Sequence, residues 1–424
     1  MTKPGAIGTG QVPGSVQSLP PLKHFAHLLH FQGGGTTPGD ATPLTDFGNN
    51  PGFLTATGVT RTASLQTRLD DLLAKNPQFA RLKIGIVNLT RDVNAPEFAG
   101  FRDLEQGTLG SAGKLSIMYA IFQCRLDLET HAFLEDVKTA EDVFAVARES
   151  WSLSQIDALN APRFNLHAAR PLLERAGSLI LRDGKKMPLI VKDKSAAAFN
   201  QGGPKLEEMF DVAPAARGAA VTIKPSFFAQ MFQMIPHSDN NAAHFCATRI
   251  GFLFANSALW QSGLYSPNRG PGGGQWVGGS YGGTIWGPPP VGGDFKQGGT
   301  AASVAALHTL IVQDRLVDKA GCDRMRNDLM ALGANFGGYG SWLSNGITKK
   351  GIPISIDTAF AKIGIADGLL FDSVQLNLNA RGKNLRYVLV ALNAPHSIAG
   401  ENLLMSLSPL LHDIIDRETP QASR

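Results

Sequence analysis

The sequence predicts an α+β protein in which one sheet is assembled from both ends of the folded region. Three observations indicate this class: a helix and two strands come first, three strands and a helix come last, and a mainly helical stretch separates them. Such a separation favours one antiparallel sheet with flanking helices and an inserted helical subdomain. We expect a domain over 61–424, with its sheet part at about 61–110 and 350–424 and its helical part at about 111–349.

The residues before this domain, 1–60, are rich in Gly, Pro and Thr. This composition buries little apolar surface and predicts a loosely ordered N-terminal arm. His24, His27 and His30 lie three residues apart within it, but no Cys or carboxylate accompanies them. We therefore interpret them as a short amphipathic patch, and we predict no metal and no cofactor.

The first half of the domain carries clear periodic signals. Leucines at helical spacing predict a helix over 62–76, which ends at an Asn-Pro pair. Alternating apolar residues predict a strand over 81–90, and a second strand follows near 97–104. An apolar run then predicts a helix over 111–123, with Ser111 at its start.

The middle of the chain has weaker signals. The stretch 124–235 is predicted to be mostly helical, with a short hairpin around Asp183-Gly184 that joins 179–181 to 189–191. The glycine-laden segment 263–299 is predicted to be a long irregular loop, of the kind that is often functional or mobile. Three aromatic residues of this loop either line a substrate rim or pack within it: Trp276, Tyr281 and Trp286.

The last part of the chain supplies the second half of the sheet. Helical patterns cover 300–313 and 319–332. The elements that follow are strands over 357–366, 371–380 and 385–392, with a turn at 381–384, and a closing helix over 401–417.

Composition narrows the function classes. Hydrophobic residues make up 43% and charged residues 17% of the chain, and the net charge is +4, with no long Lys/Arg cluster. These values are typical of a globular protein and argue against a nucleic-acid partner. The three cysteines, Cys124, Cys246 and Cys322, form no CxxC pair and are interpreted as buried free thiols.

Targeting signals are weak. No run of eighteen apolar residues occurs, so no transmembrane helix is expected. The first thirty residues lack the basic and apolar regions of a signal peptide, so on its face the chain predicts a cytoplasmic protein. The oligomeric state is left open.

Three short motifs carry the chemistry. In Ser111-Ala112-Gly113-Lys114 the serine and lysine lie three residues apart, so on a helix the amine can reach the hydroxyl and activate it. Ser238-Asp239-Asn240 and Lys362-Ile363-Gly364 follow in order. Alone, Ser111 is typical of a helix N-cap and the second motif of a turn. Lys362 is less easily explained by a structural role alone, because a charged side chain within an apolar strand needs a partner.

Together the three motifs resemble the serine β-lactamase and penicillin-binding-protein (DD-peptidase-like) superfamily, nearest to class A β-lactamase-like serine hydrolases. The resemblance covers roughly 62–420. It extends to Phe98-Ala99-Gly100-Phe101 before Ser111 and to Gly299-Thr300-Ala301-Ala302 at the start of a helix. It implies a β-lactamase/transpeptidase-like fold and a metal-free serine hydrolase.

The resemblance also implies roles for the motif residues. Ser111 would be the nucleophile and Lys114 its base, with a pKa lowered by burial and by the second cation, Lys362. Ser238 would relay a proton to the leaving group, and Asn240 would position Lys114 and the substrate amide.

The oxyanion of the reaction would lie between two backbone N–H groups, those of Ser111 and of Ile365, which follows Gly364. The implied substrate is a small molecule or a peptidoglycan-like group: a β-lactam, a D-Ala-D-Ala-like amide or a small ester. Members of this superfamily are commonly exported, and some confer antibiotic resistance.

Two departures from the family pattern concern substrate binding and turnover. Ile363 replaces the hydroxyl residue that relatives use for the substrate carboxylate, and the next arginine, Arg381, lies in a turn. No Glu occurs between Glu208 and Glu401, so the class A route of deacylation lacks its base. Three hypotheses therefore stay open: a hydrolase, a penicillin-binding or sensor-like protein acylated without efficient turnover, and a scaffold that keeps the fold.

Two other motifs fit less well. Gly107–Lys114 resembles a phosphate-binding loop, but Thr108 replaces its first glycine and Leu115 its Ser/Thr. Gly278–Gly282 matches G-x-S-x-G around Ser280, yet its flanks are rich in Gly and Pro, where a nucleophile elbow needs a strand and a helix.

Overall fold

The computed structural model describes residues 60–148, 178–180, 186–188, 204–264, 274–278, 281, 297–331, 340–348 and 354–418. The arm predicted for 1–60 therefore lies outside the described residues, except for Thr60.

The strands of the described residues are, in chain order, β1 (Thr60–Arg61), β2 (Lys83–Asn88), β3 (Glu97–Phe101), β4 (Gly107–Thr108), β5 (Ser178–Ile180), β6 (Lys186–Pro188), β7 (Phe210–Pro214), β8 (Ala219–Ile223), β9 (Trp276–Val277), β10 (Gln297–Gly299), β11 (Ile354–Ala366), β12 (Leu369–Ala380) and β13 (Lys383–Pro395).

The principal helices are α1 (Ala63–Lys75), α2 (Lys114–Glu135), α3 (Leu206–Met209), α4 (Pro225–Met234), α5 (Asn240–Ile250), α6 (Phe252–Gln261), α7 (Ala301–Val312), α8 (Lys319–Arg324), α9 (Trp342–Thr348) and α10 (Ile398–Glu418).

The main sheet joins the two ends of the described chain, as the sequence predicts. Its order is β1-β3-β2-β13-β12-β11, and β2 pairs antiparallel with β13 from Lys83↔Leu392 to Asn88↔Tyr387. This pairing confirms the α+β class with a sheet built from both ends.

Two tight turns set the register of the last three strands. Asp367-Gly368 joins β11 to β12 and Arg381-Gly382 joins β12 to β13, and all four residues have positive φ, between 52° and 79°. Two-residue hairpins need this backbone, because its twist matches that of the strands. The glycine in each pair adopts it without steric strain.

Helices cover both faces of the sheet. On one face, α1, α9 and α10 form an apolar core with the sheet, which includes Leu69, Leu389 and Leu411. On the other face lies α7, almost wholly buried and linked to the core of the helical part. At the N-terminus of α7, Thr300 accepts from the backbone N–H of Ser303 while Ser303 accepts from that of Thr300.

Several predicted elements have different bounds in the structure. The 179–181 and 189–191 hairpin is found as β5 paired with β6, so its second strand begins three residues before the predicted start. The hairpin β7–β8 lies in the stretch predicted to be mostly helical. The 319–332 helix is α-helical only to Arg324 and continues as a π-helical segment, Met325–Met330.

The described ranges were compared with the requirements of a membrane-spanning helix and of a metal site. None of the helices placed there has the length and apolar character needed to cross a bilayer. Within the same ranges, His, Cys, Asp and Glu form no cluster of three that is suited to a metal ion. Cys124, Cys246 and Cys322 are free and buried, as predicted.

Candidate active site

The residue predicted to be the nucleophile, Ser111, lies in a single 3-10 turn, Gly110–Gly113, immediately before α2. The helix predicted to start at Ser111 therefore begins three residues later, at Lys114. The turn is tight because β11 crosses directly behind it. A Cβ atom on Gly364 would lie 2.0 Å from the carbonyl oxygen of Leu109, so only glycine allows this approach.

The same contact brings the backbone of Ile365 to the turn. A Cβ on Gly110, which has φ +49°, would lie 3.0 Å from the nitrogen of Ile365. Ile365 is 39% exposed, so this edge of β11 is open to solvent. The two backbone segments predicted to supply the oxyanion donors, at Ser111 and Ile365, are therefore neighbours.

Lys114 is fully buried one helical turn after Ser111, and its amine is tightly held. Its Nζ donates to the carbonyl oxygen of Ser238 at 2.6 Å and to Oδ1 of Asn240 at 2.8 Å, and it lies 3.3 Å from Oγ of Ser238. The first two motifs of the sequence thus meet at one nitrogen.

The local fold of the second motif explains these contacts. Ser238 has φ +56°, a left-handed conformation that turns its carbonyl toward Lys114. Asp239 caps α5, because its carboxylate accepts from the backbone N–H of Ala242 at 2.7 Å. Asn240 is then the first residue of α5, with its amide oxygen directed at the lysine.

Burial changes the protonation of Lys114. Loss of solvation lowers the pKa of its amine to about 7, and the nearby carboxylate of Asp239 opposes this shift. At neutral pH the amine is therefore neutral in roughly half of the molecules. A neutral amine keeps two N–H donors and gains a lone pair that can accept a proton.

The third motif places a second lysine near Lys114. Lys362 is 5% exposed on β11 and pairs across the strands with Ser373. Its amine forms no hydrogen bond or ion pair with the described part of the chain. Burial, and then the charge of Lys114, lower the pKa of Lys362 well below its ordinary value. A positive charge on Lys114 therefore disfavours a positive charge on Lys362.

A buried pair on the sheet and α7 supports the strand that carries Lys362. Oγ of Ser373 donates to the carbonyl oxygen of Lys362 at 3.1 Å and lies 3.0 Å from Nε2 of His308. Burial lowers the pKa of His308 to about 3, so the ring is neutral. Because the hydroxyl hydrogen of Ser373 is donated to Lys362, Nε2 of His308 must carry the ring proton. None of the sequence motifs indicated the pair of His308 and Ser373.

Tyr281 of the glycine-rich loop also reaches the site. Its ring centroid lies 4.8 Å from Nζ of Lys114, and its hydroxyl donates to the carbonyl oxygen of Gly110 at 3.0 Å. Of the other two loop aromatics, Trp276 is buried in the core and Trp286 lies outside the described residues. Tyr281 thus fits the rim interpretation and Trp276 the packing one.

The structure brings the predicted site residues near the 110–113 turn and the amine of Lys114. The turn contributes Ser111, the helices Lys114 and Asn240, the segment before α5 Ser238, and β11 contributes Lys362, Gly364 and Ile365. Ser111 is partly exposed as a residue, and its hydroxyl makes no hydrogen bond with a described residue. The arrangement suits an attack on a carbonyl group from outside, while the catalytic role of each residue stays a prediction.

Comparisons with known proteins concern the fold. No family model and no curated protein matches the chain. Solved structures do: a mutant of PBP-A, in an acyl-enzyme complex with penicillin-G, is 15% identical over 84% of this chain and 98% of that chain, with a TM-score of 0.44.

In fold, the chain is similar to class A β-lactamases and PBP-A. A class A β-lactamase from Mycobacterium abscessus is 14% identical over 82% of this chain and 98% of its own, with a TM-score of 0.45. The TLA-3 extended-spectrum β-lactamase is 10% identical over 84% and 99%, also with a TM-score of 0.45.

Proposed function

We propose that the protein is a serine hydrolase that forms an acyl-enzyme on Ser111, with Lys114 as the base. The observation that carries this proposal is the amine of Lys114: it is buried, held by Ser238 and Asn240, and has a pKa of about 7. A general base is most effective when its pKa lies near the working pH.

In the proposed acylation, Oγ of Ser111 attacks a carbonyl carbon and its proton passes to the neutral amine of Lys114. The carbonyl oxygen becomes an oxyanion, which the backbone N–H groups of Ser111 and Ile365 stabilise. One donor of this kind contributes on the order of 100- to 1000-fold in rate.

Collapse of the intermediate breaks the bond to the leaving group. Oγ of Ser238, 3.3 Å from the amine, gives its proton to the leaving nitrogen or oxygen and takes one back from Lys114. The products of this step are the acyl-serine and the protonated leaving group, and the amine of Lys114 is neutral again.

The proposed substrates are a β-lactam, a D-Ala-D-Ala-like amide or a small ester. Lys362 has no anion bound to it among the described residues, so a carboxylate on the substrate would complete its contacts. Ile363 adds no hydroxyl to such a contact, which leaves Lys362 as the principal candidate for carboxylate recognition.

Intact-mass measurements test the proposal. The protein is incubated with a fluorescent penicillin, a chromogenic cephalosporin and a p-nitrophenyl ester, and adduct and product are followed over time. We expect a covalent adduct that is lost in Ser111→Ala and kept in Ser280→Ala, the serine of the competing motif. No adduct and no hydrolysis with any of these probes would contradict the proposal.

A second candidate function is a protein that is acylated without efficient turnover. It is favoured because neither Ser111 nor Lys114 forms a bond with a carboxylate in the described part of the chain, so no acidic base for a hydrolytic water is attached to the pair. A stable adduct without product release would indicate this function, whereas a transient adduct with steady product formation would indicate the hydrolase.

A further inference from the structure

Tyr281 contacts the turn that holds the proposed nucleophile, Ser111, and also contacts the proposed base, Lys114. Its hydroxyl donates to the carbonyl oxygen of Gly110, the residue before Ser111, and its ring lies over the amine of Lys114. A Cβ atom on Gly113 would lie 3.0 Å from the same hydroxyl oxygen. The side chain therefore packs along the whole 110–113 turn.

The segment that precedes Tyr281 is firmly anchored in the core. The amide of Gln275 joins Oγ of Ser116 on α2, at 2.7 Å, to the carbonyl oxygen of Ser303 on α7, at 2.9 Å. Asn256 bonds to both backbone groups of Val277, at 2.8 and 2.9 Å. These amides are buried, so β9 is fixed four residues before Tyr281.

These contacts leave little room for water at the amine. Two faces of Nζ are occupied by the carbonyl oxygen of Ser238 and Oδ1 of Asn240, and the ring of Tyr281 covers a further side. An aromatic ring accepts no strong hydrogen bond from water and keeps that side dry. Among the described residues, the charged groups that act on the amine are Asp239 at the start of α5 and Lys362 on β11.

We propose that Tyr281 is a positioning residue that excludes hydrolytic water from Lys114 and so prolongs the life of the acyl-enzyme. This inference depends on the proposed function, because it concerns the second half of the same reaction. Tyr281 does not take part in bond making; it acts through the turn and through the amine.

The step that Tyr281 slows is deacylation. A water oxygen attacks the acyl carbon and passes one proton to Lys114. The bond from carbon to Oγ of Ser111 then breaks, and Oγ leaves with the bonding electrons and recovers a proton from the amine. The water must lie within hydrogen-bonding reach of Nζ, where the ring of Tyr281 stands.

The test separates acylation from deacylation. Adducts are formed with a fluorescent penicillin on the wild type, Tyr281→Ala and Tyr281→Phe, excess reagent is removed, and adduct loss is followed by intact mass. We expect Tyr281→Ala to lose its adduct about tenfold faster or more, since a positioned base contributes at least that much once water reaches it. Tyr281→Phe keeps the ring and should restore most of the adduct lifetime.

A pH profile of acylation is the second readout. Hydration of the amine in Tyr281→Ala raises the pKa of Lys114. The rise of the acylation rate with pH, which follows deprotonation of Lys114, therefore moves to higher pH. Tyr387→Phe is the control, because Tyr387 lies buried on the opposite face of the sheet with its hydroxyl 2.9 Å from His412. It should change neither the adduct lifetime nor the pH limb. Thermal unfolding is recorded for every variant.

The outcomes are distinct. If the wild type forms an adduct that Ser111→Ala abolishes, but Tyr281→Ala keeps the wild-type lifetime and pH limb, the inference is overturned and the proposed function stands. If the wild type forms no adduct with any probe, both are overturned. If Tyr281→Ala does not fold, Tyr281→Gln decides, since its amide can bond to Gly110 and also admit water.

Discussion

Two buried lysines belong to the candidate site, and their surroundings differ sharply. Lys114, on α2, donates to two oxygens of the 238–240 motif and has a tyrosine ring over its amine. Lys362, on β11, is almost as deeply buried but bonds to none of the described residues. The amine of Lys114 thus has hydrogen-bond partners among the described residues, whereas the amine of Lys362 has none there.

This difference indicates separate tasks. A base must stay in one place while its proton comes and goes, and the fixed contacts of Lys114 meet that need. A buried cation without a partner is costly to the fold unless a ligand supplies an anion. The nearest buried carboxyl on β12, Asp372, does not serve Lys362, because it points to the other face and binds the start of α9.

The largest effect on the acylation rate is expected when Lys114 is replaced. We expect Lys114→Met to lower the acylation rate by roughly 100- to 10,000-fold, because a positioned base contributes that much. Acylation is measured by rapid-quench intact mass. Lys83→Met is the matched control, since Lys83 is also buried but its amine donates to the carbonyl oxygen of Gln106. Equal losses in both variants would contradict the assigned role.

Removal of Lys362 should have a smaller and substrate-dependent effect. With Lys362→Met, a carboxylate-bearing penicillin should acylate about 10- to 100-fold more slowly, the usual loss of a charged hydrogen bond. A neutral p-nitrophenyl ester should lose much less. The two rate ratios are compared in one assay, and a uniform loss on both substrates would show that Lys362 does not recognise the carboxylate.

The acylation rate of the wild type should depend on pH through Lys114. Its pKa is lowered to about 7, and only the neutral amine accepts a proton, so the rate should rise through pH 7 and then level off. Below about pH 6 it should fall about tenfold per unit. Rates are taken from about pH 5 to 9 with a neutral ester, and a profile that is flat over this range would exclude Lys114 as the base.

The smallest effect on activity is expected for Asp372→Asn, which changes stability instead. Burial raises the pKa of Asp372 to about 7 from an ordinary value of 3.8, although α9 donates to the carboxyl. The folded state thus holds this proton more tightly than the unfolded state does. Its contribution to stability is full below about pH 4 and is lost as pH rises to about 7, at about 1.4 kcal/mol per unit.

Chemical denaturation at about pH 4 and about pH 8 measures this effect. Between these values the wild type should lose up to about 4 kcal/mol that Asp372→Asn does not lose, because asparagine does not titrate. Acylation at neutral pH should be the same in both proteins. A variant with unchanged pH dependence of unfolding would place the titration elsewhere.

Many helices and strands of the fold could be predicted from the sequence, because each is indicated by a pattern of neighbouring residues. The leucine spacing of α1 reflects a helix that buries one face, and the apolar residues of β2 and β12 belong to strands that are buried along most of their length. The three motifs were found because each is a short string with its own chemistry. That the three motifs lie close together was inferred from the order of the elements that carry them, and not from the number of residues between any two motifs.

The parts that were missed or left open depend on contacts between distant residues. Tyr281 reaches Gly110 across 171 positions, and no pattern in a glycine-rich loop indicates which aromatic residue will do so. The His308 and Ser373 pair joins residues 65 positions apart in two apolar elements. The start of α2 was predicted too early, because the close approach of Gly364 to the turn cannot be recognised in the local sequence.

The pairing of β2 with β13 also sets the order in which the molecule can fold. Thr90 and Arg386 bond to each other although 296 positions separate them. Until the ribosome has delivered β13, β2 has hydrogen bonds to β3 alone and one edge unpaired. Closing so long a loop is slow, and an unpaired edge invites aggregation. β11, which carries Lys362, joins β2 only through β12 and β13, so Ser111 and Lys114 lack this part of the site until β13 has been synthesised and has paired with β2.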